Sequence, residues 1–100
     1  MRIEILHQAE EELTKAVAYY DEIEPGLGLR LKDEIHKIIR WIGDHPEIPR
    51  LRPKGYRQVN LKVFRYYIAY FIWNDTVWIL AVAHGSRHPE YWMERKQRPG

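Results

Sequence analysis

The sequence predicts an α+β fold in which an N-terminal helical hairpin packs on one face of a small, mostly antiparallel sheet. Two helical hydrophobic stripes come early in the chain, and three segments with strand character come late. Only the short stretch 24–28 separates the two stripes, which indicates an antiparallel helical pair. Helices and strands segregated along the chain are typical of α+β domains. We expect the order β-α-α-β-β-β, with a short helix after the last strand and with the second sheet face, or a groove beside it, free to bind a partner.

The first half of the chain is predicted to hold one strand and two helices. Ile3 and Ile5 alternate with polar neighbours, which is the period of a short strand. From residue 8 the period becomes helical, with an apolar face made of Ala9, Leu13, Ala16, Val17 and Tyr20. The second helical stripe comprises Leu27, Leu31, Ile35, Ile38, Ile39 and Ile42. Three consecutive glutamates at 10–12 fall in the first turn of the first helix, where we expect solvated carboxylates that suit the helix dipole.

The second half is predicted to supply the rest of the sheet. Residues 44–55 contain three prolines and a glycine and are therefore expected to form a loop. Strands are expected near 56–61, 65–73 and 76–83, with Asn74 and Asp75 forming a tight turn between the last two. These last two strands are almost entirely apolar, so they are predicted to be central. Pro89 is expected to begin a short final helix.

Length and composition limit the classes of protein that remain possible. We expect the 100 residues to form one domain over 1–100. Cysteine is absent, which excludes disulfides and cysteine-ligated metals, and the five histidines show no convincing metal-ligand spacing. We therefore expect no metal and no cofactor. The longest apolar run is much shorter than a membrane span, and the first residues lack the apolar stretch of a secretory signal. We expect a cytoplasmic protein without membrane contacts.

The net charge of +2 conceals a strong asymmetry along the chain. Residues 1–49 carry 11 acidic and 6 basic side chains, a net of −5, whereas residues 50–100 carry 3 and 10, a net of +7. Within 50–65 there are six basic residues and no acidic one. A basic half of this kind indicates an acidic protein segment or a nucleic acid as partner, although a solvated loop and strand edge would carry the same residues.

Several segments, taken in order, carry a resemblance to a known family. They are Ala18-Tyr19-Tyr20, Pro25-Gly26-Leu27-Gly28, Asp33-Glu34, the stretch 64–70, the stretch 79–84, and then Arg87, Pro89, Tyr91-Trp92 and Arg95. Together they resemble the RelE/ParE family of bacterial toxin–antitoxin toxins over nearly the whole chain. The resemblance implies the same α+β fold and the toxin of a type II module, neutralised by a cognate antitoxin.

The resemblance leaves two activities open. ParE-like members are associated with poisoning of DNA gyrase. RelE-like members are ribosome-dependent messenger RNA endoribonucleases that use lysines and an arginine on the sheet, with an arginine and a tyrosine near the C-terminus. By resemblance, the two lysine positions hold Gln58 and Asn60 here, and the strand arginine position holds Tyr67. Growth inhibition by protein binding, with gyrase as the target, is therefore favoured, and whether the chain is an enzyme stays open. If it is an endoribonuclease, the candidate catalytic residues are Arg65, His84, Arg87 and Tyr91.

The remaining candidates concern binding and histidine chemistry. His84 has the strand parity of Leu80 and Val82, which predicts a histidine hydrogen-bonded at the edge of the core. Trp92 follows a loop and is a candidate for surface contacts, although packing onto the sheet is an equal alternative. The residues expected to bind the antitoxin or the target are Arg50, Arg52, Lys54, Arg57, Arg65, Arg87, Trp92 and Arg95.

Overall fold

The computed structural model describes residues 1–97 of the chain and confirms the α+β class. Its helices are α1 (His7–Ile23), α2 (Leu27–Asp44) and α3 (Glu90–Met93), and a 3₁₀ turn follows over Glu94–Gln97. Its strands are β1 (Arg2–Ile5), β2 (Arg57–Asn60), β3 (Tyr66–Trp73) and β4 (Thr76–His84). Arg65 lies in the bend before β3, one residue outside the strand expected to contain it.

The four strands form one mixed sheet in the order β1-β4-β3-β2. β4 is central: it pairs parallel with β1 and antiparallel with β3, and β2 lies at the far edge. Asn74 and Asp75 join β3 to β4 with φ angles of 55° and 56°. Two consecutive left-handed residues are the hallmark of the hairpin turn whose twist matches the flanking strands, and Asn and Asp tolerate that conformation.

The helical hairpin is held together by a close approach at its closed end. Gly26 adopts a left-handed conformation with φ 90°, which an L side chain would strain. Two residues later, a β-carbon on Gly28 would collide with the carbonyl oxygen of Val17. The Asp21 carboxylate accepts a hydrogen bond of 2.8 Å from the Gly28 amide and so satisfies a free donor at the start of α2. The predicted short connection between the two helices is therefore confirmed. Gly26 is required there by its backbone conformation and Gly28 by its close contact with α1.

The sheet separates two hydrophobic clusters. The larger one fills the space between the sheet and the helical hairpin, and it includes Leu31, Ile35, Ile68 and Ile79. The second cluster lies on the opposite face, where Trp92 of α3 is fully buried. The expectation that this second face is left free is wrong in part, because the C-terminal segment folds back and covers it.

A β-bulge interrupts the pairing of β3 with β4. Ala69 pairs with Ala81 and Tyr70 with Ile79, so Leu80 is the extra residue. Leu80 belongs to the second cluster and Val82 to the helix-side cluster, although two residues of a regular strand share a face. The predicted parity of His84 is therefore wrong with respect to Leu80, since the bulge turns the end of β4 over. His84 follows Val82 onto the helix side.

Candidate functional site

A polar pocket of about 410 Å³ lies where the RelE-like catalytic positions were expected. We call it the amide pocket; its lining includes Gln58, Asn60, Arg65, Tyr67 and Arg87. The Gln58 side-chain amide donates a hydrogen bond of 2.8 Å to the Asn60 side-chain oxygen. At the two positions where RelE-like enzymes are expected to have lysines, this chain thus has two neutral amides that are hydrogen-bonded to each other. Neither amide can take up a proton near neutral pH.

Tyr67 closes the floor of the amide pocket and is itself buried. Its hydroxyl accepts a hydrogen bond of 2.8 Å from the indole nitrogen of Trp92 and donates one of 3.3 Å to the Arg87 carbonyl. Burial raises the pKa of this hydroxyl, so Tyr67 stays neutral. Trp92 is enclosed by the same contacts, so it offers no surface to a partner in this conformation.

His84 lies outside the amide pocket, on the helix side of the sheet. Its Nδ1 accepts a hydrogen bond of 3.1 Å from the Ser86 amide and lies 2.8 Å from the Ser86 hydroxyl. Because a backbone N–H can only donate, the neutral ring carries its proton on Nε2. The ring also packs edge-to-face on Tyr66, with 5.4 Å between centroids. The four candidate catalytic residues are therefore not brought together in one pocket: Arg65 lines the amide pocket and His84 does not.

A partly buried ionic cluster, which sequence reasoning missed, ties the C-terminal segment to α1. We call it the Glu12 clamp; it consists of Glu12, Tyr91 and Arg95. Arg95 donates two hydrogen bonds of 3.1 Å to the two carboxylate oxygens, and the Tyr91 hydroxyl donates one of 2.8 Å. The expectation of a solvated glutamate is thus wrong for Glu12. Its position beside Ala9 and Ala16 on the buried helical face was the available signal.

The Glu12 clamp also completes an edge of β4. β1 ends at Ile5, so the β4 backbone beyond Ile79 has no neighbouring strand on that side. The Val82 amide donates to Glu12 at 3.0 Å, and Arg95 donates to the Leu80 carbonyl at 3.0 Å. Buried backbone groups without partners are costly, and these two side chains replace the missing strand.

Tyr91 is held between charges and cannot act as a ready proton donor. Burial raises the pKa of its hydroxyl, and the hydrogen bond to Glu12 raises it further. The guanidinium of Arg87 lies 4.0 Å from the centre of the Tyr91 ring, within cation–π range. The ring therefore positions Arg87, which remains exposed.

The basic residues predicted to contact a partner divide into two groups. The Arg57 guanidinium donates hydrogen bonds of 3.1 Å and 2.6 Å to the carbonyls of Glu47 and Pro49, so it holds the loop before β2. Arg95 is engaged in the Glu12 clamp, and Arg52 is only half-exposed beside the turn that follows it. The remaining cations are exposed, and they are Arg50, Lys54, Arg65 and Arg87.

An apolar groove of about 500 Å³ runs between α2 and the edge strand β2. We call it the edge groove; Ile38, Trp41 and Val59 line it, with Lys37 and Lys62 among its polar residues. Trp41 keeps 38% of its surface exposed although it is large and apolar. An exposed indole beside a free strand edge is a feature of protein interaction sites.

Over residues 1–97 no group of three or more His, Asp or Glu side chains is arranged to hold a metal ion. In the same range, no helix has the length and apolar character needed to cross a membrane.

A family model described as "ParE toxin of type II toxin-antitoxin system, parDE" matches residues 3–89. The chain belongs to the ParE toxin family. It is similar to Toxin ParE2 of Mycobacterium tuberculosis, with 32% identity over 89 residues that cover 88% of this chain and 85% of the relative. The predicted membership of the RelE/ParE family, on the ParE-like branch, is confirmed.

Solved structures of related toxins share the fold. The chromosomal ParDE system of P. aeruginosa matches with a TM-score of 0.76 and 16% identity, covering 84% of this chain and 95% of that one. The isolated E. coli RelE toxin matches with a TM-score of 0.64 and 19% identity, covering 96% of both chains. The chain is thus a ParE-like toxin of a type II toxin–antitoxin system, and the family implies a cognate antitoxin as partner.

Proposed function

We propose that this ParE-family toxin inhibits growth by binding a cellular protein, with DNA gyrase as the target, and that its antitoxin blocks that binding in the cytoplasm. The observation that carries the proposal is the amide pair in the amide pocket. Cleavage of RNA through its 2′-hydroxyl needs a base, an acid and fixed cations around one phosphate. The amide pocket supplies three cations, Lys62, Arg65 and Arg87, and its lining holds no histidine or carboxylate to serve as base or acid near neutral pH.

The tyrosines and the histidine do not replace the missing groups. The Tyr67 hydroxyl has both of its hydrogen-bond partners inside the protein, and the Tyr91 hydroxyl donates its hydrogen bond to Glu12. A raised tyrosine pKa makes each a poorer acid near neutrality. His84 lies on the helix side with its Nδ1 occupied by Ser86. These contacts favour binding over hydrolysis.

The edge groove is the surface that best fits an antitoxin segment. The Leu61 amide donates a hydrogen bond to the Tyr66 carbonyl on β3. In an antiparallel pair only every second residue bonds to the neighbouring strand, so the backbone N–H and C=O groups of Gln58 and Asn60 point away from β3 and are free to pair. An extended segment could pair with that edge and insert an apolar side chain against Trp41. Lys37 and Lys62 complement acidic residues of such a segment, and the one acid of the lining, Glu34, already accepts a hydrogen bond of 3.0 Å from the Lys62 amide.

Gyrase supercoiling with the purified full chain tests the target. We expect inhibition that depends on toxin concentration, and we expect Lys54→Glu to weaken it because Lys54 is an exposed cation of the basic half. Arg40→Glu, an exposed charge reversal on α2, is the matched control. Unchanged supercoiling at saturating toxin would refute the gyrase target. Codon-phased messenger cleavage on translating ribosomes, lost in Arg87→Ala, would instead establish the endoribonuclease.

Antitoxin binding is tested separately, by calorimetry with the protein encoded beside the toxin gene. We expect Trp41→Ala to raise the dissociation constant roughly 30-fold, the size of a buried aromatic hot spot. The control is Trp73→Ala, which removes another exposed indole, 50% exposed, at the tip of the β3–β4 hairpin. Equal dissociation constants for the two variants would contradict an antitoxin site in the edge groove.

A further inference from the structure

A second polar cavity, of about 300 Å³, lies between α1 and the open end of the β3–β4 hairpin. We call it the tyrosine groove. It shares Tyr66 and Arg87 with the amide pocket, but its remaining lining, apart from Tyr91 of α3, comes from α1 and the helix side of β4. The side chains that define its chemistry are Lys15, Tyr19, Tyr66, His84, Arg87 and Tyr91.

The tyrosine groove carries positive charge that the fold leaves uncompensated. Within residues 1–97, no carboxylate lies within 4 Å of the cationic atoms of Lys15 or Arg87. Glu12 is the acid that lines the groove, and Arg95 neutralises it through two hydrogen bonds. Two free cations therefore face a cavity whose acid is already paired. Fixed cations of this kind are suited to a phosphate or carboxylate.

Hydrogen-bond donors lie next to these cations. His84 presents an N–H at Nε2, since its Nδ1 accepts from the Ser86 amide. Burial raises the pKa of the Tyr66 hydroxyl, which therefore stays protonated and able to donate. Arg87 is held against the Tyr91 ring, and that ring is fixed by Glu12, so the cation is pre-positioned rather than freely mobile.

The rest of the groove is apolar and aromatic. Ala16 and Val82 are buried and form part of its lining, and the small side chain of Ala16 leaves room above α1. Tyr19 keeps 59% of its surface exposed at the rim, although a ring of this size gains by being covered. Its ring packs edge-to-face on Tyr20, with 5.2 Å between centroids, and the rest of the ring stays open. An exposed ring beside unpaired cations fits a planar group that bears an anion, because nucleobases stack on such rings.

We propose that the tyrosine groove binds one nucleoside 5′-monophosphate unit, with Lys15 and Arg87 contacting the phosphate and Tyr19 stacking on the base. The unit is either a free nucleotide or the 5′-phosphorylated end of a single strand. A cavity of about 300 Å³ is at the small end of ligand sites, which suits one such unit. An acidic peptide would use the cations and leave the exposed ring of Tyr19 without a role. This binding is independent of the gyrase and antitoxin proposals.

Titration of the ¹⁵N-labelled full chain with AMP, followed by NMR, tests the proposal. We expect saturable shifts at residues 15, 19, 66 and 84, and a dissociation constant that rises about tenfold in Lys15→Gln, the effect of one charge-assisted hydrogen bond. Tyr19→Ala should weaken AMP at least fivefold through loss of stacking. Lys37→Gln removes a cation of the edge groove and should leave AMP affinity unchanged. All three positions are exposed, so these variants should fold.

Further ligands distinguish a free nucleotide from the end of a nucleic-acid strand, and a nucleotide site from a site for phosphate, an acidic peptide or a nucleoside. Tighter binding of 5′-phosphorylated trideoxyadenylate than of AMP supports a strand end, and equal or weaker binding supports the free nucleotide. Inorganic phosphate or a Glu-Glu-Glu peptide binding as tightly as AMP would overturn the proposal. So would adenosine binding as tightly as AMP, or an AMP affinity equal in Lys15→Gln and Lys37→Gln. Absence of saturable shifts at about 5 mM AMP would overturn it as well.

Discussion

Removing the carboxylate of Glu12 should cost this small domain a large part of its stability. The substitution Glu12→Ala leaves three donors without their partner: the Val82 amide, the Tyr91 hydroxyl and the Arg95 guanidinium. Removal of one member of a buried ion pair costs about 3–5 kcal/mol. The two side chains here keep 16% and 20% exposure, so water recovers part of that loss. We expect about 2–4 kcal/mol, out of a total of roughly 5–15 kcal/mol typical of single domains.

Urea unfolding measures this change directly, as a lower midpoint at an unchanged slope. The control is Glu11→Ala. Glu11 is 57% exposed, and its ion-pair partner is His7 at 3.5 Å, so we expect a change within about 0.5 kcal/mol. A double-mutant cycle between Glu12→Ala and Arg95→Ala should give a coupling of about 1–3 kcal/mol. A cost below about 1 kcal/mol for Glu12→Ala, or equal costs at positions 11 and 12, would refute the assigned role of the Glu12 clamp.

Three further predictions concern the fold. Trp92→Ala should destabilise by about 3–5 kcal/mol, since it empties a fully buried site and removes the indole donor to the Tyr67 hydroxyl; a fully stable variant in denaturant unfolding would count against the second cluster. Gly28→Ala should lower the free energy of unfolding by about 1–3 kcal/mol because its methyl group meets the Val17 carbonyl, and an unchanged midpoint would show that the helices can separate freely. Burial raises the pKa of Tyr70 to about 12, so the unfolded state releases its proton first and stability should fall between pH 10 and 12. That decline should be shallower in Tyr70→Phe, and identical pH profiles would contradict the assignment.

Periodicity was enough to place the helices and strands, and the order of motifs was enough to indicate the family. The bulge at Leu80 could not be predicted, because β4 is apolar on both faces. A strand that is apolar on both faces has no alternation of polar and apolar residues. An extra residue in such a strand therefore leaves no mark in the sequence pattern. His84 was assigned the wrong relation to Leu80 for this reason alone.

The Glu12 clamp escaped prediction for a different reason. In the local sequence pattern, the three glutamates at 10–12 look alike, because all of them fall in the first turn of a helix. Glu12 differs from the other two only through its contacts with residues 82, 91 and 95. Arg57 was treated in the same way as the exposed bases around it, although its guanidinium caps two loop carbonyls. In both cases the deciding partners are backbone or side-chain groups that only the folded chain brings within reach.

The central place of β4 governs when this protein can become active during its synthesis. β4 needs β1 on one side and β3 on the other, and its free edge is finished by Glu12 and Arg95, which are 83 residues apart in the chain. Because proteins are made from the N-terminus onward, a ribosome-bound chain that lacks residues 76–97 cannot close the sheet or bury its second face. The sheet and its covered second face are thus completed only after residues 76–97 have been made, so the surfaces described above do not exist on any shorter nascent chain.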